Sequence, residues 1–285
     1  MKLLAFVLAS TFLLSLNSSD RNEIDILTAL EKKLVTVDIK HDDYGLGGDL
    51  ILKFKPLNKS LQLIIPAGTR FKSHNEEEQD LMNADTKRII LASAKPGAVR
   101  VKGFCVQSSN RCPNEESGYT PQKEGDERLV KLARYLDGKS IDHDIKQTSF
   151  WAVSDRESVS GIYKEGDKEV EALRKFICTL LSKKDVWYNT DPTYTLDANR
   201  NIVYEITKVE GLISYEVAKP GKLRMYVLNG ENEVIRSLGE GSQISHLGNY
   251  KFNFKLAVKG WERGKYSVQL KIDEEIIHSQ EFEIG

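Results

Sequence analysis

Residues 250–256 (YKFNFKL) and 266–272 (YSVQLKI) put apolar and polar side chains at alternate positions. That period belongs to a strand with one face buried, and it excludes a helix over either segment. Comparable short stretches fit residues 35–39, 50–54, 61–65, 88–91 and 98–106 in the first part of the chain. In the last part they fit residues 223–228, turning at Asn229-Gly230 before Val234-Ile235, and residues 275–284. Clusters such as Pro66-Ala67-Gly68 separate them, and residues 44–48 (YGLGG) read as a hairpin turn. Many short strands between turn signals predict antiparallel sandwiches.

The period changes to helical in between. Leu129, Val130, Leu132, Ala133 and Leu136 fall on one side of a helix over 126–136. A second helix is predicted over 143–153 and a third over 168–181, where Val170, Leu173, Ile177 and Leu181 recur at helical spacing. Near the start, Asp20-Arg21-Asn22-Glu23 has capping-box spacing ahead of Ile24, Ile26, Leu27, Leu30 and Leu34. Residues 188–201 are polar and rich in turn formers. The fold class predicted is mainly β: a β-sandwich with an appended helical block over 20–188, a linker over 189–202, and a second β-sandwich over 203–285.

The chain opens on one positive charge, at Lys2, followed by fourteen uncharged residues (LLAFVLASTFLLSL) and then Asn17, Ser18 and Ser19. This run is short for a bilayer span and suits a signal peptide over 1–19. No Cys stands near its end, so a lipid anchor there is not expected. An exported protein, secreted or held at the cell surface, follows, with no membrane span predicted in the mature chain. The 41 Lys and Arg against 42 Asp and Glu leave a net charge of −1, which gives no reason to expect a nucleic-acid partner.

The three cysteines are Cys105, at the end of a strand, Cys112, after a polar turn, and Cys178, within the third helix. In an oxidising compartment Cys105 and Cys112 can close a small disulfide loop. Cys178 reads as a buried, inert thiol. None of the five His pairs with another at metal-ligand spacing, and His143 between Asp142 and Asp144 reads as a helix start, so no metal or cofactor is predicted. No phosphate loop or nucleophile elbow occurs, and no catalytic role is expected. A carboxylate pair for glycoside hydrolysis would be close in space and not in sequence, so a secreted carbohydrate-active enzyme is the alternative, with a spacer of an envelope assembly as a third class. Trp187, Tyr188 and Tyr194 either stack on sugar rings or pack at the domain junction.

Two resemblances add to this. Phe104-Cys105-Val106 on a strand, followed by Lys146-Gln147-Thr148-Ser149-Phe150-Trp151, is similar to the thioester domains of bacterial surface adhesins, over roughly residues 35–185. There an aromatic-Cys strand motif precedes a Gln-x-x-x-Trp helix motif, with Thr before the Gln and Ala two after it, where this chain has Lys146 and Ser149. The resemblance implies that Cys105 displaces ammonia from Gln147 to leave an internal thioester, which an amine on a partner can capture. Gln147 and Trp151, four apart, share a helix face, so Trp151 can shield the bond. Secondly, residues 213–217 (ISYEV), Lys219-Pro220-Gly221, Val234-Ile235-Arg236 and residues 264–268 (GKYSV) resemble immunoglobulin-like modules, in particular type IX secretion tails and the flagellar hook-cap domain. The function expected is non-catalytic binding or adhesion, with a protein or glycan ligand on another surface.

Overall fold

The computed structural model describes residues 23–42, 48–57, 60–93 and 95–285. The expected signal peptide, residues 20–22 of the capping box and positions 44–47 of the glycine turn lie outside the described residues.

Strand β1 (Glu23–Asp25) leads into a short helix α1 (Ile26–Glu31). The Asp25 carboxylate accepts from the N–H groups of Leu27 and Thr28 at 3.0 Å each and caps its first turn. The helix is therefore shorter than its apolar spacing predicts. Its lead-in pairs as a strand, and Lys33, with φ 51°, turns the chain away beyond it.

β2 (Val35–Asp42), β3 (Asp49–Pro56), β4 (Leu61–Ile65), β5 (Arg70–Ser73), β6 (Leu81–Asn83), β7 (Lys87–Leu91), β8 (Gly97–Cys105) and β9 (Tyr119–Gln122) follow. They form a six-stranded sheet in the order β2-β3-β8-β6-β5-β9 and a three-stranded sheet β1-β4-β7. A bridge between Lys40 and Gly118 brings the β9 end back to β2, so the larger sheet curls toward a barrel. Leu50, Leu52 and Phe54 share a buried core with Leu61, Leu63 and Ile65, the period-2 positions of β3 and β4.

Helices α2 (Glu127–Leu136), α3 (His143–Ser154) and α4 (Lys168–Leu180) form where the helical period predicts them. The Asp126 and Asp167 carboxylates cap α2 and α4. Leu132, Leu136, Phe150, Leu173 and Ile177 join Met82, Phe104 and Val106 in a second core. Phe104 thus belongs to the helical core, while its neighbour Cys105 belongs to the sandwich core. Successive strand side chains point to opposite faces, so the end of β8 is the seam between the two.

Residues 189–202, expected to be a linker, are mostly strand. β10 (Tyr188–Leu196) pairs antiparallel with β11 (Ile202–Val217). The turn formers of the sequence make the hairpin tip, where the Asp197 carboxylate accepts from the N–H groups of Asn199 and Asn201 at 2.8 Å each. Pro192 is tolerated because β10 is an edge strand and a register shift falls there.

β12 (Gly221–Leu228), β13 (Val234–Ser237), β14 (Ser242–Ile244), β15 (Gly248–Ala257), β16 (Gly264–Ile272) and β17 (Glu275–Ile284) complete the second sandwich. Its sheets run β10-β11-β15 and β13-β12-β16-β17, with β14 beside β12. This is the strand order of an immunoglobulin-like sandwich. Tyr266, near the start of β16, donates its hydroxyl to the Glu262 carbonyl at 2.8 Å, the tyrosine corner of such folds. The β12–β13 loop is longer than an Asn-Gly hairpin: Leu228 pairs with Val234, and the positive φ, 63°, falls on Asn232. The chain as a whole is mainly β with a small helical block.

Arg174 of α4, 7% exposed, ties the helical block to the start of β10. It donates to Asp185 at 2.7 Å, to Asn189 at 2.6 Å, and to the carbonyls of Val186 and Tyr188 at 2.8 and 3.1 Å.

Candidate functional site

The sheet leaves one strand edge open at the seam. β3 begins at Asp49, opposite Lys102, so β8 runs three residues beyond its pairing with β3. The far side of β8 still pairs there, Cys105 standing opposite Leu81 of β6. A side chain from α3 takes the place of the missing strand. The Cys105 N–H donates to Gln147 Oε1 at 2.9 Å, and Gln147 Nε2 donates to the Cys105 carbonyl at 2.9 Å. Both bonds are buried; Cys105 is 0% exposed and Gln147 1%. The primary amide behaves as one peptide unit of a neighbouring strand, satisfying two backbone groups that burial would otherwise leave unpaired.

Helix α3 holds the amide from both cores. Phe150 and Val153 pack into the helical core, and Trp151 into the sandwich core with Cys105. Lys146 and Ser149, which flank Gln147 in the motif, are buried, and the Ser149 hydroxyl returns to the Ile145 carbonyl at 2.7 Å. Phe104 stacks between Phe150 and His143 at centroid distances of 5.2 and 5.0 Å. His143 is thereby placed at the start of α3 against an aromatic ring.

Trp151 is 1% exposed and tilts against Tyr194 at 5.0 Å. Its indole N–H is buried without a hydrogen-bond partner. Such a group costs about 1–3 kcal/mol, so packing alone holds this ring in place. Tyr194 is anchored by its hydroxyl, 3.0 Å from Thr148 Oγ1.

A cleft of about 630 Å³ opens on the far side of Trp151, between the two modules. Tyr188, Tyr194 and Tyr204 line it with Glu157 and Ser108, the latter three residues beyond Cys105. Burial pushes the Glu157 carboxyl above its ordinary value of 4.5; Asp155 acts in the same direction, and the Ser108 hydroxyl and Arg263 oppose it. Burial also raises the Tyr194 and Tyr204 hydroxyls, the latter to about 12.

The structure therefore brings together Cys105, Gln147 and Trp151. No disulfide joins Cys105 to Cys112. Cys112 lies beyond the turn, where its N–H donates to the Arg200 carbonyl at 2.9 Å and its sulfur accepts from Gln79 Nε2 at 3.7 Å. Cys178 is buried, and burial raises its thiol. Trp187 and Tyr188 pack near Phe254 and Phe282, at 5.9 and 6.2 Å, and Tyr188 lines the cleft together with Tyr194. Glu157 and Tyr204 escaped the sequence reading because no motif marks them; only the fold brings them beside Trp151. Among the described residues no three His, Cys, Asp or Glu side chains converge as a metal would require. Nor is any described helix long and apolar enough to cross a membrane.

No family model matches the chain, and no curated protein matches it. Among solved structures, the β-glucosidase of Kluyveromyces marxianus in complex with glucose aligns at 10% identity over 83% of this chain and 45% of that one, with a TM-score of 0.21. Red sea bream transglutaminase aligns at 7% identity over 90% of this chain and 32% of that one, also at 0.21. The chain spans less than half the length of either, and at that score neither bears on fold or activity.

Proposed function

We propose that this is an exported adhesion protein that condenses Cys105 with Gln147 into an internal thioester and passes the acyl group to an amine on another surface. One observation carries the reading. The side-chain amide is held by two buried hydrogen bonds against the backbone of the very residue whose thiol must attack it. In the first step the Cys105 sulfur bonds to the Gln147 amide carbon, the carbon–nitrogen bond breaks, and ammonia leaves with the thiol proton. The Cys105 N–H, already on Oε1, polarises that carbonyl and would stabilise the negative charge of the tetrahedral intermediate. Holding thiol and amide on touching elements replaces the encounter of two separate molecules.

In the second step an amine attacks the acyl carbon, the carbon–sulfur bond breaks, and sulfur takes the amine's proton. Gln147 ends in an amide bond to the partner, and Cys105 is a thiol again. The chain is consumed once, so this is attachment and not turnover. Burial of both residues keeps water from the acyl carbon until a partner arrives. The immunoglobulin-like sandwich is the spacer in this reading, and the ligand is an amine carried by a protein or glycan.

Native protein incubated with methylamine and then digested tests the reading. One methylamine is expected on the peptide containing Gln147, with one new reactive thiol at Cys105, and none on a Cys105→Ser chain. Wild-type protein that takes up no methylamine at Gln147 overturns it.

A further inference from the structure

The acyl carbon of the proposed thioester is sealed, so an amine needs a way in and a group to take its proton. The cleft beside Trp151 supplies both. Its inner wall is a ring that no hydrogen bond fixes, and that ring shares a buried core with Cys105. A rotated indole regains an acceptor from water or a ligand, so displacement recovers part of what its burial costs. The charges of the cleft are arranged unevenly. Arg156, Lys183, Lys184 and Arg263 stand exposed at the mouth, with Glu283 as the acid among them. Glu157 is half-buried deeper in, and its N–H lies 3.5 Å from the Trp151 carbonyl.

A cationic rim repels free polyamines and basic peptides and attracts an acidic surface. An inner carboxylate suits the one ammonium that such a surface carries inward. We propose that the cleft walled by Trp151 is the entry for a lysine side chain on an acidic protein segment, with Glu157 accepting the proton that the amine must lose. The inference rests on the thioester reading for its chemistry and on the cleft alone for its binding. Loss of the proton to Glu157 turns the ammonium into a nucleophile. Its nitrogen bonds to the Gln147 acyl carbon, the Cys105 sulfur departs with the proton held by Glu157, and the freed carboxylate takes the second proton that the nitrogen sheds on becoming an amide and hands it to water. Burial favours this role, since it lifts the carboxyl toward the range where a base works at neutral pH. Asp155 reinforces the shift, while Ser108 and Arg263 oppose it; Tyr188, Tyr194 and Tyr204, with the charged groups of the mouth, are the other titratable groups lining the cleft.

The test compares two lysine peptides, one flanked by Asp and Glu and one by neutral residues, on the full chain. Covalent labelling of Gln147 is read by mass, and non-covalent binding is read on a Cys105→Ala chain that has no thioester. The acidic peptide is expected to label about tenfold faster at low salt, with the gap closing as salt rises. A Lys183→Glu, Lys184→Glu double variant should erase the preference in both assays. Glu157→Gln should slow labelling by about tenfold or more and flatten its rise with pH, leaving loss of ammonia unchanged. A thioester that forms but labels both peptides equally, or ignores Glu157→Gln, overturns this inference and spares the reading beneath it. A chain without ammonia loss that still binds the acidic peptide through Lys183 and Lys184 overturns the thioester and the role of Glu157 while sparing the docking site. Absence of both effects overturns both.

Discussion

Strands β8 and β16 are alike in length and alternation, yet their edges are closed by different means. β16 is flanked along most of its length by β12 on one side and β17 on the other. β8 outruns β3, and its last residue is paired by a glutamine 42 positions away on a helix. The chemical consequence differs. In a peptide bond from a neighbouring strand the leaving amine would be the main chain itself, whereas in the proposed reaction a primary amide gives up free ammonia to the thiol of the residue that it pairs with. In the proposed function a surrogate for a strand is thus also a reactive group.

The largest effect that sharpens this contrast is expected at the tie between the modules. Arg174→Ala removes one of the two donors to Asp185 and leaves the Val186 and Tyr188 carbonyls without the guanidinium, and should cost about 3–5 kcal/mol, seen as a large fall in the urea midpoint. An unchanged midpoint would mean that the modules do not depend on this residue. Next comes the pairing itself. Gln147→Ala strands two buried backbone groups and should cost about 2–4 kcal/mol, while Gln269→Ala on β16, whose backbone has strand neighbours, should stay within about 0.5 kcal/mol. Equal effects at the two positions would erase the distinction between the strands.

Much of this contrast was legible beforehand, and the exceptions have physical causes. β4 falls on residues 61–65 and the three main helices on their apolar stripes, because burial on one face forces a period. β5, β6 and β9 went unread: each is three or four residues long, and Arg70, Lys72 and Pro121 interrupt any apolar pattern. Residues 189–202 look like a linker because a hairpin tip and an edge strand carry the same polar, turn-forming residues as a loop. In the site, the spacing of Gln147 and Trp151 on one helix was readable. The cleft was not, since Ser108, Glu157, Tyr204 and Arg263 come from four separate stretches.

Two smaller effects probe each side separately. Tyr266→Phe removes the corner hydroxyl bond and should cost about 1 kcal/mol, visible as a lower melting temperature for the second sandwich alone. Hydrogen exchange in β8 and α3 should not change; faster exchange there would couple the sandwiches more tightly than the contrast allows. The smallest effect is one of pH. Because burial raises the folded-state Glu157 carboxyl above 4.5, its favourable contribution is complete below that value and is lost as pH rises through the raised one. Glu157→Gln should therefore be neutral to stabilising at pH 7, by under about 1 kcal/mol, and should lose that advantage below pH 4.5. A variant less stable at pH 7 and unchanged in acid reverses the sign.

The intact mass of undamaged native protein decides whether Cys105 and Gln147 condense. A wild-type chain lighter than its processed sequence by one ammonia is expected, with a Cys105→Ala chain of full mass produced alongside it. A wild-type chain of full mass, or one lighter by two hydrogens through a Cys105–Cys112 disulfide, would contradict that expectation.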